Sequence, residues 1–277
     1  MTVTPAPSIT LSNGVQMPQL GLGTWPMNDT ETAAAVASAI GLGYRHIDTA
    51  EKYGNETGVG EGVRQSGASR SDLFITTKFC RQWHSADGVR QACEASLKRL
   101  GMDYIDLFLM HWPNPEQDQY VETVGAMSRL IDAGLVRAIG VSNFKTTHLQ
   151  RLFDADLVPH VNQIQLDPYH LRADIVAVHR AKGIATGAWS PLGRGSAMLS
   201  DPAITAAAEH HDRTPAQVVL RWQTQSGYVP IPKSSNPSRQ TQNLDSFDFT
   251  LSEAEMTAMN ALDRPDPGML DSDVFGH

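Results

Sequence analysis

Cysteine is scarce in this chain: Cys80 and Cys93 are the only two in 277 residues. Two thiols exclude a disulfide-built scaffold and suit a reducing compartment. Positive charge is also short, with 22 lysines and arginines against 30 acidic residues, for a net charge of -8. That balance argues against a surface made for nucleic acid or anionic membrane. Any anionic ligand would need a local cluster of cations working against the global field. No apolar run approaches the ~20 residues that span a bilayer. The opening MTVTPAPS lacks the basic and apolar segments of a secretory leader. The glycine pairs at 21/23, 41/43 and 58/60 lack the third glycine and the helix context of a dinucleotide-binding loop, which excludes a Rossmann reading. The expectation is a soluble, cytoplasmic, monomeric chain whose partner is a small molecule, with neither nucleic acid nor membrane involved.

What is present is a strand–helix alternation. A hydrophobic content of 41% over this length allows one large core, and one domain over residues 1–277 is expected, with the Pro/Thr-rich residues 1–7 disordered. Asn13-Gly14 suits a tight turn between two short strands, a hairpin placed to plug one end of a barrel. Apolar runs predict strands near 20–24, 45–48, 73–77, 104–110, 136–141, 161–165, 184–188 and 228–231. Helical periodicity falls near 30–42, 56–66, 87–100, 120–133, 146–155, 173–182, 202–225 (broken by Pro215) and 237–243. Capping signals support these helices: Asp29 or Thr30 ahead of the first, and Gly134 and Gly183 closing two others. Ser252 and Glu255 are spaced as a capping box for one further helix, followed by a tail without periodicity. Eight strands alternating with helices predict an α/β fold, the (β/α)₈ TIM barrel, with an N-terminal β-hairpin and an extra C-terminal helix and loop.

Chemically distinctive residues stand at the ends of successive strands: Asp48 and Tyr53, Lys78, His111, Ser142 with Asn143, and Lys233. In a closed parallel barrel those ends meet at the carboxyl rim, where barrel enzymes carry out their chemistry. A phenol near pKa 10 is protonated at neutral pH and releases its proton reluctantly. The Lys78 ammonium beside Tyr53 is expected to lower that value, with Asp48 holding the lysine charged. His111 would donate a hydrogen bond that orients a substrate oxygen. Where the last strand runs into a helix, Lys233, Ser234 and Arg239 offer two cations, a hydroxyl and backbone amides to an anion.

The segments GYRHIDTAEKYGNE, ITTK, LMHWP, IGVSNF, NQIQ and IPKSSNPSRQTQN, in this order and spacing, resemble the aldo-keto reductases from about Thr10 to the C-terminus. The short tail and Trp189 are similar to the bacterial branch that contains 2,5-diketo-gluconate reductases. The resemblance implies NADPH-dependent reduction of carbonyls, with Asp48, Tyr53, Lys78 and His111 as the catalytic tetrad and Tyr53 as the general acid. It implies that Lys233, Ser234, Ser235 and Arg239 hold the 2′-phosphate, with Gln242 and Asn243 near the adenine. Ser142, Asn143 and Gln163 would meet the nicotinamide carboxamide, Trp189 would stack on its ring, and Ser190, Pro191, Leu192, Gly193 and Gly195 would pass the pyrophosphate. Gly23, Thr24, Trp25 and Asp48 complete the implied cofactor contacts. Asn236 stands at a place that is sometimes basic, and Gln242 at one that is commonly glutamate.

Trp25, Trp83 and Trp112 follow strand ends and are expected to wall a substrate pocket with Tyr53 and His111, closed by Phe275 from the tail. Cys80 is expected to be packed and inert, and His46 to be a core residue. Two competing readings carry distinct signatures. A metal-dependent hydrolase would use His46, Asp48 and His111 as ligands, but leaves Tyr53, Lys78 and the Lys233–Arg239 cluster without a role. A redox-sensing subunit that binds NADPH with little turnover has the tetrad itself against it. The reading adopted requires no metal.

Overall fold

The computed structural model describes residues 6–264 and 269–277. Two short strands, β1 (Ser8–Thr10) and β2 (Gln16–Pro18), pair antiparallel. Eight parallel strands follow: β3 (Gly21–Gly23), β4 (His46–Asp48), β5 (Phe74–Phe79), β6 (Ile105–Met110), β7 (Val136–Ser142), β8 (Val161–Gln165), β9 (Ala185–Trp189) and β10 (Val229–Ile231). Each pairs with its neighbours in chain order, and a parallel bridge from Gly23 to Lys233 brings the first strand against the last. The Gly23 N–H donates to the Pro232 carbonyl at 3.1 Å across that seam. The barrel expected from the alternation is the barrel observed.

The helices are α1 (Asp29–Leu42), α2 (Glu56–Ser66), α3 (Gly88–Leu100), α4 (Tyr120–Asp132), α5 (Thr146–Phe153), α6 (Ala173–Lys182), α7 (Pro202–His211), α8 (Pro215–Gln225), α9 (Pro237–Leu244) and α10 (Glu253–Asn260). Pro215 begins α8 instead of kinking one long helix, because proline at the first helical position loses no intrahelical hydrogen bond. The first helix is capped one residue earlier than expected. Asn28 accepts from the Glu31 N–H and Glu31 returns the bond, a complete capping box. Ser252 and Glu255 form the box anticipated for α10.

Strand alternation separates two cores. Phe108, Met110, Ile47, Ile75 and Val141 face the helices, within the large cluster that includes Val36, Val59 and Leu220. Phe74, Leu107, Leu109, Ala138, Val161 and Val229 face the barrel axis. Leu11 and Met17 of the hairpin join this inner cluster against residues at the strand starts, so the hairpin plugs the amino end and leaves the carboxyl end open. The hairpin turn differs from the expectation. It spans five residues, Leu11 to Val15, and only Gly14 is left-handed, at φ 85°. The expected disorder of residues 1–7 does not extend to Ala6 and Pro7, since the Pro7 carbonyl accepts the Gln19 N–H at 2.8 Å; residues 1–5 lie outside the described residues. The tail, described for 269–277, has no helix or strand, as anticipated.

Candidate active site

Except for Tyr53, which ends the 51–53 turn after β4, each reactive side chain continues the inward-facing series of its own strand. His46 precedes Asp48 on β4; Phe74 and Thr76 precede Lys78 on β5; Leu107 and Leu109 precede His111 beyond β6. Ala138 and Gly140 precede Ser142 on β7, and Val161 precedes Gln163 on β8. A period of two therefore carries the apolar axis of the barrel directly into a polar rim. Gly140 has no side chain for a steric reason: a Cβ there would lie 2.6 Å from the Val161 carbonyl oxygen.

At that rim Lys78 is 1% exposed and donates to Asp48 Oδ1 at 2.6 Å and to the Thr49 carbonyl at 2.8 Å. The other Asp48 oxygen accepts from Gln163 Nε2 at 2.7 Å. Both carboxylate oxygens are thus engaged, which is what a buried charge requires. Lys78 Nζ lies 5.2 Å from the centre of the Tyr53 ring, and the His111 ring lies 5.8 Å from that ring in an edge arrangement. Burial is the largest single influence on the lysine and opposes its charge, but Asp48 and Tyr53 together more than offset it and raise the lysine pKa above its ordinary value. Tyr53 departs from the expectation. Lys78 does pull its pKa down, but burial pushes harder, and the phenol is raised above 10. Burial, with Lys78 and His277 adding, drives the His111 pKa well below 6.5, so its imidazole is neutral near pH 7. His111 Nδ1 has no hydrogen-bond partner among the described residues, and neither do Trp112 Nε1 and His277 Nε2 close by.

Tyr53 and His111 open onto a cavity of about 540 Å³. Of the residues expected at a cofactor, Gly23, Thr24, Trp25, Asp48, Ser142, Asn143, Gln163, Trp189, Ser190, Pro191, Leu192, Gly195 and Lys233 line it. Asn143 is braced internally: its amide donates to the His111 carbonyl and Ser142 Oγ, both at 3.0 Å, and accepts from Trp189 Nε1 at 2.8 Å. Asn143 (φ 64°) and Ser190 (φ 51°) are both left-handed without being glycine, a strained conformation that clusters at functional rims. Gly193 does not line the cavity. Beyond Lys233, Ser234 and Ser235 precede α9, Arg239 stands in its first turn, where Asn236 caps the helix by accepting the Arg239 N–H at 3.2 Å, and Gln242 and Asn243 stand in its last turn. The exposed side chains of Lys233 and Arg239 make no hydrogen bond or ion pair with other described residues.

Of the expected pocket residues, Trp25, Trp112 and Phe275 line the cavity, with the Phe275 ring 4.8 Å from that of Trp112. Trp83 is placed elsewhere. Its indole N–H donates to the Glu51 carboxylate at 2.9 Å, which turns the ring toward the 51–53 turn and the core. Arg194, Leu199, Ile231, Pro232, Leu270 and His277 line the cavity without having been singled out. Arg194 stood within SPLGRG; its guanidinium lies 5.3 Å from the Trp25 ring and 4.9 Å from the Trp189 ring. His277 had no signal, since the tail carries no pattern. Cys80 is buried, with its thiol pushed up to about 12 by burial, hence unreactive. His46 is fully buried between Thr76 Oγ1 at 3.0 Å and the Pro18 carbonyl at 3.3 Å, so it is not available with Asp48 and His111 as a ligand set.

A carboxyl-rim cavity lined by an acid, a tyrosine and a histidine, with a buried lysine paired to the acid, defines a barrel oxidoreductase of the kind to which the sequence motifs point. The chain matches the Aldo/keto reductase family over residues 17–264 and belongs to it. It is 47% identical over 268 residues to an aldo-keto reductase of Mycolicibacterium smegmatis, covering 95% of this chain and 97% of that one. It is 45% identical to morphine 6-dehydrogenase of Pseudomonas putida over 98% of this chain and 97% of that one. Among solved structures, a variant of the protein Gox0644 in complex with NADPH superimposes with a TM-score of 0.92 at 43% identity, covering 98% of each chain.

Proposed function

We propose that this chain reduces aldehyde or ketone carbonyls to alcohols with NADPH as an alcohol:NADP⁺ oxidoreductase, and that Tyr53 is the general acid. The observation that carries the reading is the placement of Tyr53 and His111 on one cavity directly above the buried Lys78–Asp48 pair. The NADPH complex of a neighbour 43% identical supports the cofactor. So does the chemistry of the wall: an indole for stacking at Trp189, a Gln163 Oε1 without a partner among the described residues, and the Lys233 cation, with Arg239 beyond it, both unpaired among the described residues in a chain of net charge -8. When bound, NADPH supplies the hydride.

The chain's own residues do the rest. Ser142, Asn143 and Gln163 form a fixed platform beside Trp189 that orients a planar amide ring. Neutral His111 positions the substrate oxygen through a hydrogen bond. Tyr53, its pKa raised, is fully protonated at neutral pH and delivers its proton as negative charge grows on that oxygen; Lys78 stabilises the phenolate that results. Trp25, Trp112 and Phe275 exclude water from the carbonyl. The test is steady-state NADPH oxidation with simple aldehydes on wild type and Tyr53→Phe. The variant is expected to lose ~10²–10⁴-fold in kcat with the NADPH dissociation constant unchanged. More than a tenth of wild-type kcat, with chemistry rate-limiting, overturns the assignment. A wild-type chain that binds NADPH but turns over no carbonyl would favour the sensing reading.

A further inference from the structure

Far from the cavity, the end of α7 and the start of α10 bring three metal-competent side chains together. His210 Nδ1 lies 2.9 Å from Glu255 Oε1, and His211 Nε2 lies 3.0 Å from the same oxygen. The donor atoms of all three lie within 4.8 Å of one another. Nothing in the carbonyl chemistry uses them.

We propose that His210, His211 and Glu255 form a divalent transition-metal site, occupied by Zn²⁺ with water as the fourth ligand, that clamps the C-terminal helix α10 to α7. Two imidazoles and one carboxylate are a donor set that Zn²⁺ takes in open, three-ligand sites. Bonds of about 2.0–2.1 Å place tetrahedral ligands about 3.3 Å apart. The two His–Glu separations of 2.9 and 3.0 Å therefore need to open by only about 0.3–0.4 Å. Both imidazoles approach Oε1; His211 Nε2 also lies 3.1 Å from Oε2, which accepts from the Ser252 backbone N–H at 2.7 Å and hydroxyl at 2.8 Å. Oε1 thus faces both imidazole nitrogens, while Ser252 fixes the carboxylate through Oε2, the outer-shell support that metal ligands use. The His211 ring is held by Phe249, with centroids 5.1 Å apart. The His210 side chain is 72% exposed, so the fourth corner opens to water.

The experiment is a calorimetric titration of the metal-stripped full chain with Zn²⁺ at pH 7.5, with Mg²⁺ as the hard-cation control. One Zn²⁺ per chain is expected, no Mg²⁺, and a melting midpoint raised by about 2–5 °C at saturation. His210→Ala, at an exposed position, is expected to weaken Zn²⁺ at least tenfold and to abolish the thermal shift. Glu255→Gln is expected to do the same, and circular dichroism separates that loss from any fraying of the α10 cap. Absence of saturable Zn²⁺ binding overturns the proposal and leaves a hydrogen-bonded clamp. Equal affinity in wild type and His210→Ala also overturns it, because the ion then sits elsewhere.

Discussion

At the scale of single residues, the two exposed cations near α9 face opposite demands. Lys233 and Arg239 have no partner among the described residues, so their charge is available to a ligand, yet the whole chain repels anions with a net charge of -8. Only close, charge-assisted hydrogen bonds overcome such a field, each worth about 1.5–3 kcal/mol. If Arg239 holds the 2′-phosphate, Arg239→Ala weakens NADPH by roughly 10–150-fold and NADH much less, because NADH carries only a hydroxyl there. Tryptophan fluorescence quenching reads both constants; equal losses would assign Arg239 to the adenine or to loop support. The opposite condition holds at Asp48. Its carboxylate is almost fully buried and satisfied by Lys78 and Gln163, so Lys78→Met strands a negative charge. That variant is expected to lose activity and also about 3–5 kcal/mol of stability, measured by urea denaturation.

At the scale of elements, the tail is the part that the strand–helix rhythm does not specify. It is anchored by Lys145, which pairs with Asp271 and Asp273, and by His148 Nε2, 2.9 Å from Asp273. From that anchor Phe275 reaches Trp112, and the His277 ring comes within 4.7 Å of the His111 ring. Phe275→Ala removes an apolar wall of the cavity without touching the barrel. KM for small aldehydes is expected to rise roughly 5–30-fold, the equivalent of about one to two kcal/mol of lost contact, with kcat changed less and the melting midpoint unchanged. A variant with unaltered KM would show that the tail covers the cavity without contributing to binding.

At the scale of the molecule, buried histidines set the response to acid. Burial is the leading cause that lowers His46, His84 and His179 from 6.5 to about 4. The unfolded chain takes up these protons near 6.5, before the folded chain does, so the stability they represent is complete above pH 6.5 and is lost as pH falls toward 4. The urea midpoint is therefore expected to drop steadily between pH 7 and pH 5, with no comparable change between pH 7 and pH 9. Activity should hold more evenly over the neutral range, since Tyr53 is raised and His111 lowered, which moves both titrations outward. A pH–rate profile with a sharp limb near 6.5 would contradict the neutral His111.

Strand parity and helix caps are local, and they were legible from residues alone. The eight strand positions, the break at Pro215 and the Ser252–Glu255 box follow from side-chain periodicity and from backbone groups that need partners. The same periodicity aligns Asp48, Lys78 and His111 with the inward face of their strands, so their convergence was implicit once eight strands were counted. Tertiary structure decided what depends on long-range burial and on segments without period. It set the sign of the Tyr53 shift, because desolvation is a property of everything packed around a group and not of its nearest charge. It turned Trp83 onto Glu51, brought Arg194 between Trp25 and Trp189, and carried His277 to the carboxyl end of the barrel beside His111. No pattern within a strand or helix encodes those contacts; they exist only where distant parts of the chain exclude water together.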